Sequence, residues 1–218
     1  MSKYKHILFD LDGTIIDSAP GIINSIMYAI DQLGFPPVDP DALRVFIGPP
    51  LQNQFKEYLH LTDEQGEYAV QCFKDYYRRR GIQECSVFPG VGEMLHYLET
   101  MGYKLYIATS KPEKFARQIL TGYALDHYFT FIGGSEMDEK TRANKAEVIE
   151  YVLKENYITE LHEVLMIGDR MHDIEGAKIC GLEAMGILYG YGSKEEFEDA
   201  GADYIVTSTQ EIVAFLSE

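Results

Sequence analysis

The sequence predicts the α/β class: a parallel sheet flanked by helices, with a small helical subdomain inserted after the first strand. Two observations carry most of that reading. Short apolar runs recur along the chain, and helical patterns of ten or more residues separate most of them. From about residue 18 to 82 the alternation stops and helices alone are legible. A third supports it: 218 residues, 46% hydrophobic and 25% charged, suffice for a sizeable core domain with a smaller partner.

The elements follow in order. HILFD at 6–10 reads as the first strand. A helix follows, with Asp17 or Ser18 as its cap and Pro20 in its opening turn. Ile22, Ile23, Ile26, Met27, Ile30 and Leu33 give it one apolar face. GFPPVDPD is a Pro-rich turn. A second helix is expected over 50–60 and a third over 63–80, with Ala69, Val70, Phe73 and Tyr77 as its apolar face. FPGVGEMLHYLETMGY then reads as a helix stopped by Gly102, and KLYIATS as a strand. KPEKFARQILTGY is helical, with Pro112 in its first turn. The strand YFTFIGG, the helix NKAEVIEYVLKENY, the strand VLMIGD, the helix HDIEGAKICG and the strands AMGILYG and DYIVTS complete the series. The expected division is a core of 1–16 and 84–218, with a helical insert of 17–83.

Ligands of such sheets bind beyond the carboxyl ends of the strands, so the polar residues there carry the function. The first strand ends in Asp10-Leu11-Asp12-Gly13-Thr14, and the second long strand in Thr109-Ser110-Lys111. Lys145 opens a later helix, and VLMI ends in Gly168-Asp169, with Asp173 four residues on. Side chains two apart on an extended chain point the same way, so Asp10 and Asp12 are expected on one side. Three converging carboxylates call for a cation or a proton, and oxygen ligands select a hard cation, Mg2+ by default. Gly13 is a permissive turn residue beside the ligand. Thr109, Ser110 and a lysine supply donors for a phosphoryl group.

Composition narrows the partners. Nineteen Lys and Arg against 35 Asp and Glu give a net charge of -16, which disfavours nucleic acid and anionic membranes. Arg78, Arg79 and Arg80 read as the solvated end of a helix. Cys72, Cys85 and Cys180 follow no paired pattern and suit reduced thiols in a cytoplasmic protein. The opening MSKYKHILFD has no apolar signal region, and no apolar run approaches the ~20 residues of a membrane span. The oligomeric state is not legible.

DLDGTIIDS resembles the first signature of the haloacid dehalogenase (HAD) superfamily, in its phosphatase branch. Thr109, Lys145 and GDRMHD at 168–173 follow in that family's order, and the likeness spans nearly the whole chain. The insert is similar to the family's four-helix cap. FIGPPL at 46–51 and YGYGS at 189–193 are similar to segments of the phosphoglycolate phosphatase-like subgroup. The resemblance implies a Rossmann-like core and a Mg2+-dependent phosphatase acting on a small phosphate monoester through an aspartyl phosphate. Phosphoglycolate phosphatase-like and 5'-nucleotidase-like activities both fit. It makes Asp10 the nucleophile and a metal ligand, and Asp12 the general acid/base with its carbonyl on the metal. It gives Thr109 and Ser110 the phosphoryl group, Lys145 the charges of nucleophile and phosphate, and Asp169 and Asp173 the metal. Gly48, Pro49 and Pro50 of the cap would contact substrate. Many relatives place proline after the lysine, where this chain has Ala146, so Lys111 and Lys140 compete for that role. A sugar phosphomutase of the beta-phosphoglucomutase type uses the same core. A non-enzymatic phospho-aspartate receiver shares the chemistry but is much shorter, with no room for the insert.

Overall fold

The computed structural model describes residues 2–47, 51–137 and 141–218. The chain forms two compact units, Met1–Asp17 with Val87–Glu218, and Ser18–Ser86. It begins with β1 (His6–Phe9) and β2 (Ile16–Asp17), then enters the helical unit through α1 (Ala19–Gln32). A 3-10 segment (Pro40–Phe46), α2 (Leu51–Leu59), α3 (Asp63–Arg79) and a short 3-10 turn (Gly81–Gln83) follow. The chain returns through β3 (Ser86–Val87) to α4 (Val91–Thr100), β4 (Lys104–Pro112), α5 (Glu113–Gly122), β5 (Phe129–Ser135) and α6 (Lys145–Glu155). It ends with β6 (Val164–Gly168), α7 (Met171–Ile179), β7 (Glu183–Ile187), α8 (Lys194–Ala200), β8 (Tyr204–Val206) and α9 (Thr209–Ser217).

Six strands make one sheet in the order β5-β4-β1-β6-β7-β8, and all its pairs are parallel. Parallel strands buried on both faces are apolar throughout, and Ile7, Leu8 and Phe9 of β1 are wholly buried. On one face Leu8, Tyr106, Met166 and Ala184 pack with Val148 and Val152 of α6, Ile174 of α7 and Phe197 of α8. The chain runs from β1 outward to β4 and β5, then crosses back to β6 on the other side of β1. That reversal is the switch point of a doubly wound sheet, and it opens a crevice at the carboxyl ends of β4, β1 and β6. Phe9 stands level with Ile107 and Ile167, so the residues that follow each strand meet there.

The helical unit has its own core. Ile23, Ile26 and Ile30 of α1 and Ala69, Phe73 and Tyr77 of α3 are buried, and α1 packs on α3. A Cβ on Gly21 would lie 2.0 Å from the carbonyl oxygen of Gly81, so the close approach of α1 to that turn requires glycine. Thr62 and Gln65 close α3 with a reciprocal capping box.

Several local expectations are corrected. Ser18 stands at the cap position of α1, but its hydroxyl makes no capping bond. Met27, expected on the buried face, is 36% exposed. Pro112 ends β4 at the cap position of α5 instead of lying in the first helical turn. The segment after the Pro-rich turn is a 3-10 helix, capped by the Asp39 carboxylate on the Asp41 N–H. Helices α8 and α9 and the two-stranded pairing of β2 with β3 are additions to the sequence reading. No helix among the described residues is long and apolar enough to cross a membrane.

One packing contact gives a stability test. A Cβ on Gly186 of β7 would lie 2.6 Å from the fully buried ring of Phe197. Gly186→Ala should therefore destabilise the core by about 1–3 kcal/mol through overpacking, read as a lower urea midpoint at unchanged slope. An unchanged midpoint would show that the ring moves aside without strain.

Candidate active site

Asp10 follows β1 directly and is 7% exposed. The Lys145 Nζ donates to its Oδ1 at 2.7 Å, to the Ala108 carbonyl at 2.9 Å and to Oδ1 of Asp173 at 2.7 Å. Lys145 is the first residue of α6, with its stem close to Gly176 of α7 and its ammonium on the Ala108 carbonyl of β4. Asp169 follows β6 and is fully buried, and Asp173 lies in the first turn of α7. Oxygens of Asp10, Asp169 and Asp173 lie within 4.8 Å of one another. Asp173 Oδ2 also accepts from the Arg170 N–H at 3.1 Å, which ties the carboxylate to its own helix start.

Three buried carboxylates around one ammonium set the local electrostatics. Burial, reinforced by Asp173 and Asp12, pushes the Asp10 carboxyl up to about 6 against the pull of Lys145. Burial also raises Asp169 well above the usual carboxylate range, with Asp173 and Asp10 adding to it. Burial alone would lower the Lys145 ammonium, but Asp10 and Asp173 outweigh it and the group stays charged. The cluster is therefore short of positive charge. An all-oxygen, buried, closely spaced donor set of this kind fits a hard divalent cation.

Gly13 is what lets the cluster close. Its φ is +84°, and a Cβ there would sit 2.0 Å from Asp169 Oδ2. The Gly13 N–H donates to the Ile16 carbonyl, so the chain turns sharply after Asp12. Asp12 thus leaves the buried cluster. Its Oδ1 takes the Lys111 Nζ at 2.8 Å, and its side chain is 23% exposed.

Thr109 is buried at the end of β4, and its Oγ1 accepts the Lys111 N–H at 3.1 Å. A hydroxyl that accepts there keeps its own proton to donate elsewhere. Ser110 is exposed, and its carbonyl accepts from Ser135 Oγ at 2.8 Å. The structure thus brings Asp10, Asp12, Gly13, Thr109, Ser110, Lys145, Asp169 and Asp173 to one sheet edge. Of the three candidate lysines, Lys145 holds Asp10, Lys111 holds Asp12, and Lys140 lies outside the described residues, as do Gly48, Pro49 and Pro50.

The segment 189–193 also belongs to the site, although the sequence assigned it no role. The Tyr191 N–H donates to Asp169 Oδ2 at 2.8 Å, and its hydroxyl donates to Asp17 Oδ1 at 2.9 Å. The Tyr189 hydroxyl donates to the Thr14 carbonyl at 3.0 Å. A Cβ on Gly190 would lie 2.3 Å from that of Asp169 and 2.4 Å from the Gly13 carbonyl. A glycine between two tyrosines was the legible signal of that close approach.

The family model for haloacid dehalogenase-like hydrolases matches residues 7–187. A 5'-nucleotidase from Pseudomonas aeruginosa is 42% identical over 194 residues, 89% of this chain and 87% of its own length. A phosphoglycolate phosphatase from Vibrio parahaemolyticus is 30% identical over 217 residues, 96% of this chain and 94% of its own. A crystal structure from Clostridium difficile is 42% identical, with a TM-score of 0.94 over 99% of this chain and 100% of that one. The chain belongs to the haloacid dehalogenase-like hydrolases, and it is an enzyme of their phosphatase type.

The raised Asp10 carboxyl has a consequence for stability without divalent cations. Folded Asp10 keeps its proton up to about 6, against an ordinary value of 3.8. Between those values the folded state binds the extra proton, so its stability falls as pH rises. Urea unfolding should show the wild type losing stability relative to Asp10→Asn across that window, with a flat difference above it. A difference constant from pH 4 to 7 would mean that Asp10 titrates as an ordinary carboxylate.

Proposed function

We propose that the chain is a Mg2+-dependent phosphatase that hydrolyses a small-molecule phosphate monoester through an aspartyl phosphate on Asp10. The observation that carries this is the unequal pair Asp10 and Asp12. One is buried against Lys145 beside two further carboxylates, and the other is partly open and paired with Lys111.

In this reading a carboxylate oxygen of Asp10 attacks phosphorus while the bond to the ester oxygen breaks. Asp12 gives its proton to that leaving oxygen. Water then attacks the aspartyl phosphate, Asp12 takes a proton from it, and inorganic phosphate leaves Asp10 as a carboxylate. Lys145 holds the nucleophile, and the Thr109 hydroxyl with the Ser110 backbone donates to the phosphoryl oxygens. Asp10, Asp169 and Asp173 would hold Mg2+ together with the Asp12 carbonyl. When bound, the ion supplies positive charge to the transferring phosphoryl group.

The helical unit, taken as a cap, is assigned to choosing the substrate. The chemistry at the sheet edge addresses only the phosphoryl group, which supports placing selection elsewhere. A small phosphorylated metabolite is the expected partner, of the phosphoglycolate or nucleoside 5'-monophosphate kind. A cytoplasmic setting is consistent with Cys72, Cys85 and Cys180 all being thiols.

Phosphate release should fall by at least about 10³-fold in Asp10→Asn, as expected for loss of a nucleophile. EDTA should abolish release, and added Mg2+ should restore it. Near wild-type turnover by Asp10→Asn would overturn the covalent route. A sugar 1-phosphate converted to its 6-phosphate, without free phosphate, would make the enzyme a mutase instead.

A further inference from the structure

We propose that Tyr191 is a positioning residue that sets the cation specificity of the site. Through its hydroxyl on Asp17 it holds Asp169 as a single-oxygen ligand, which favours Mg2+ over Ca2+. The inference rests on the Mg2+-dependent phosphatase reading above and adds how the site chooses its ion.

The two ions ask different things of a carboxylate. Ca2+ takes about six to eight oxygens in flexible geometry and accepts both oxygens of one carboxylate. Mg2+ demands a small, near-ideal octahedron. The two oxygens of one carboxylate lie closer together than neighbouring corners of that octahedron, so Mg2+ takes one of them. A carboxylate free to swing suits Ca2+, and one fixed with a single oxygen forward suits Mg2+.

Asp169 is fixed in the second way. Its Oδ2 takes the Tyr191 N–H at 2.8 Å. The same oxygen lies within 3 Å of where a Cβ on Gly13 or on Gly190 would fall, so backbone closes over it at both glycines. Oδ1, which the Thr14 hydroxyl reaches only at 3.5 Å, is left for the ion.

The aim of the Tyr191 N–H depends on its own side chain. Residues 188–193, between β7 and α8, belong to no helix or strand. Tyr191 stands between Gly190 and Gly192, and a Cβ on either would overlap Asp169, at its side chain and at its carbonyl oxygen. The close approach therefore needs glycines, which restrain the backbone least. The Tyr191 hydroxyl supplies the restraint, donating to Asp17 Oδ1 at 2.9 Å. Asp17 ends β2, and beside it the Ile16 carbonyl accepts the Gly13 N–H. Gly13, Asp17 and Tyr191 thus form one frame around the Asp169 carboxylate. The Tyr189 hydroxyl on the Thr14 carbonyl ties the loop to the same turn.

A tyrosine that only braces the loop would matter equally for every ion. The test is titration calorimetry of Mg2+ and of Ca2+ into the metal-free chain, a measure independent of turnover. Wild type, Tyr191→Phe, Asp17→Ala and Asp17→Asn are compared. Wild type should bind Ca2+ no more tightly than Mg2+. Tyr191→Phe should weaken Mg2+ by at least about tenfold, as for other partners that orient a ligand. Ca2+ binding should stay within about threefold, because its flexible geometry tolerates a loosened carboxylate. Asp17→Ala should reproduce that shift, and Asp17→Asn, which keeps an acceptor for the hydroxyl, should retain most of the selectivity. Should Tyr191→Phe fail to fold, the two Asp17 variants decide in the same way. Unchanged binding in Tyr191→Phe, or equal weakening of both ions, would overturn the inference. A wild type that binds Ca2+ more tightly than Mg2+ would also overturn it and leave the phosphatase reading standing. A wild type that binds neither ion overturns both.

Discussion

The ammonium of Lys145, buried between Asp10 and Asp173, is the contact on which the site depends. Three carboxylates whose oxygens approach within 4.8 Å are not stable in a dry sheet edge without opposing charge. The ammonium supplies part of that charge, and the surrounding backbone is shaped to admit it. A Cβ on Gly176 would lie 2.8 Å from the Lys145 stem, and one on Gly168 would lie 2.2 Å from the Asp173 carboxyl carbon. Gly13 and Gly190 yield in the same way to Asp169. Glycines thus stand where the side chains of Asp169, Asp173 and Lys145 pass close to backbone. Removing the ammonium would leave buried carboxylates unpaired, a loss of about 3–5 kcal/mol for a pair of this kind.

The legible part of the structure follows from period and length. Strands that are apolar on both faces and helices of ten residues or more leave signals that local context does not erase. β1, β4, β5 and β6 and the helices between them were therefore readable, and so was the order of the motifs at the strand ends. Short elements were not. The 3-10 segment at Pro40–Phe46 spans too few turns to show a period, and β2 and β3 have two residues each. Met27 satisfies the helical period of α1 but stands at the margin of its apolar arc, so it lies partly in water.

The lysines show a second kind of limit. The sequence assigned the role to Lys145 but left Lys111 and Lys140 close enough to compete for it. What separates Lys111 from Lys145 is tertiary. The start of α6 lies against Gly176 of α7 and brings the Lys145 ammonium onto the Ala108 carbonyl and onto Asp10. Lys111 arrives along β4 itself, within a register shift against β5 where a Cβ on Gly134 would lie 2.5 Å from the Lys111 carbonyl oxygen. Neither fact has a local signature.

The alternation rule for strands fails at an instructive place. Asp10 and Asp12, two apart, should share one side and one environment. The strand, however, ends at Phe9, and the N–H groups of Thr14, Ile15 and Ile16 all turn back to the Leu11 carbonyl. That turn buries Leu11 and swings Asp12 out of the cluster that holds Asp10. Two identical side chains thereby acquire different surroundings. Asp10 is dry and crowded by other carboxylates, while Asp12 is partly wet and faces a single cation. Burial and the neighbouring carboxylates favour the protonated form of Asp10, so a nucleophile there would depend on the opposing charge of Lys145 and of a cation at the same oxygens. The tight turn at Gly13 is therefore as much a part of the chemistry as the carboxylates it separates.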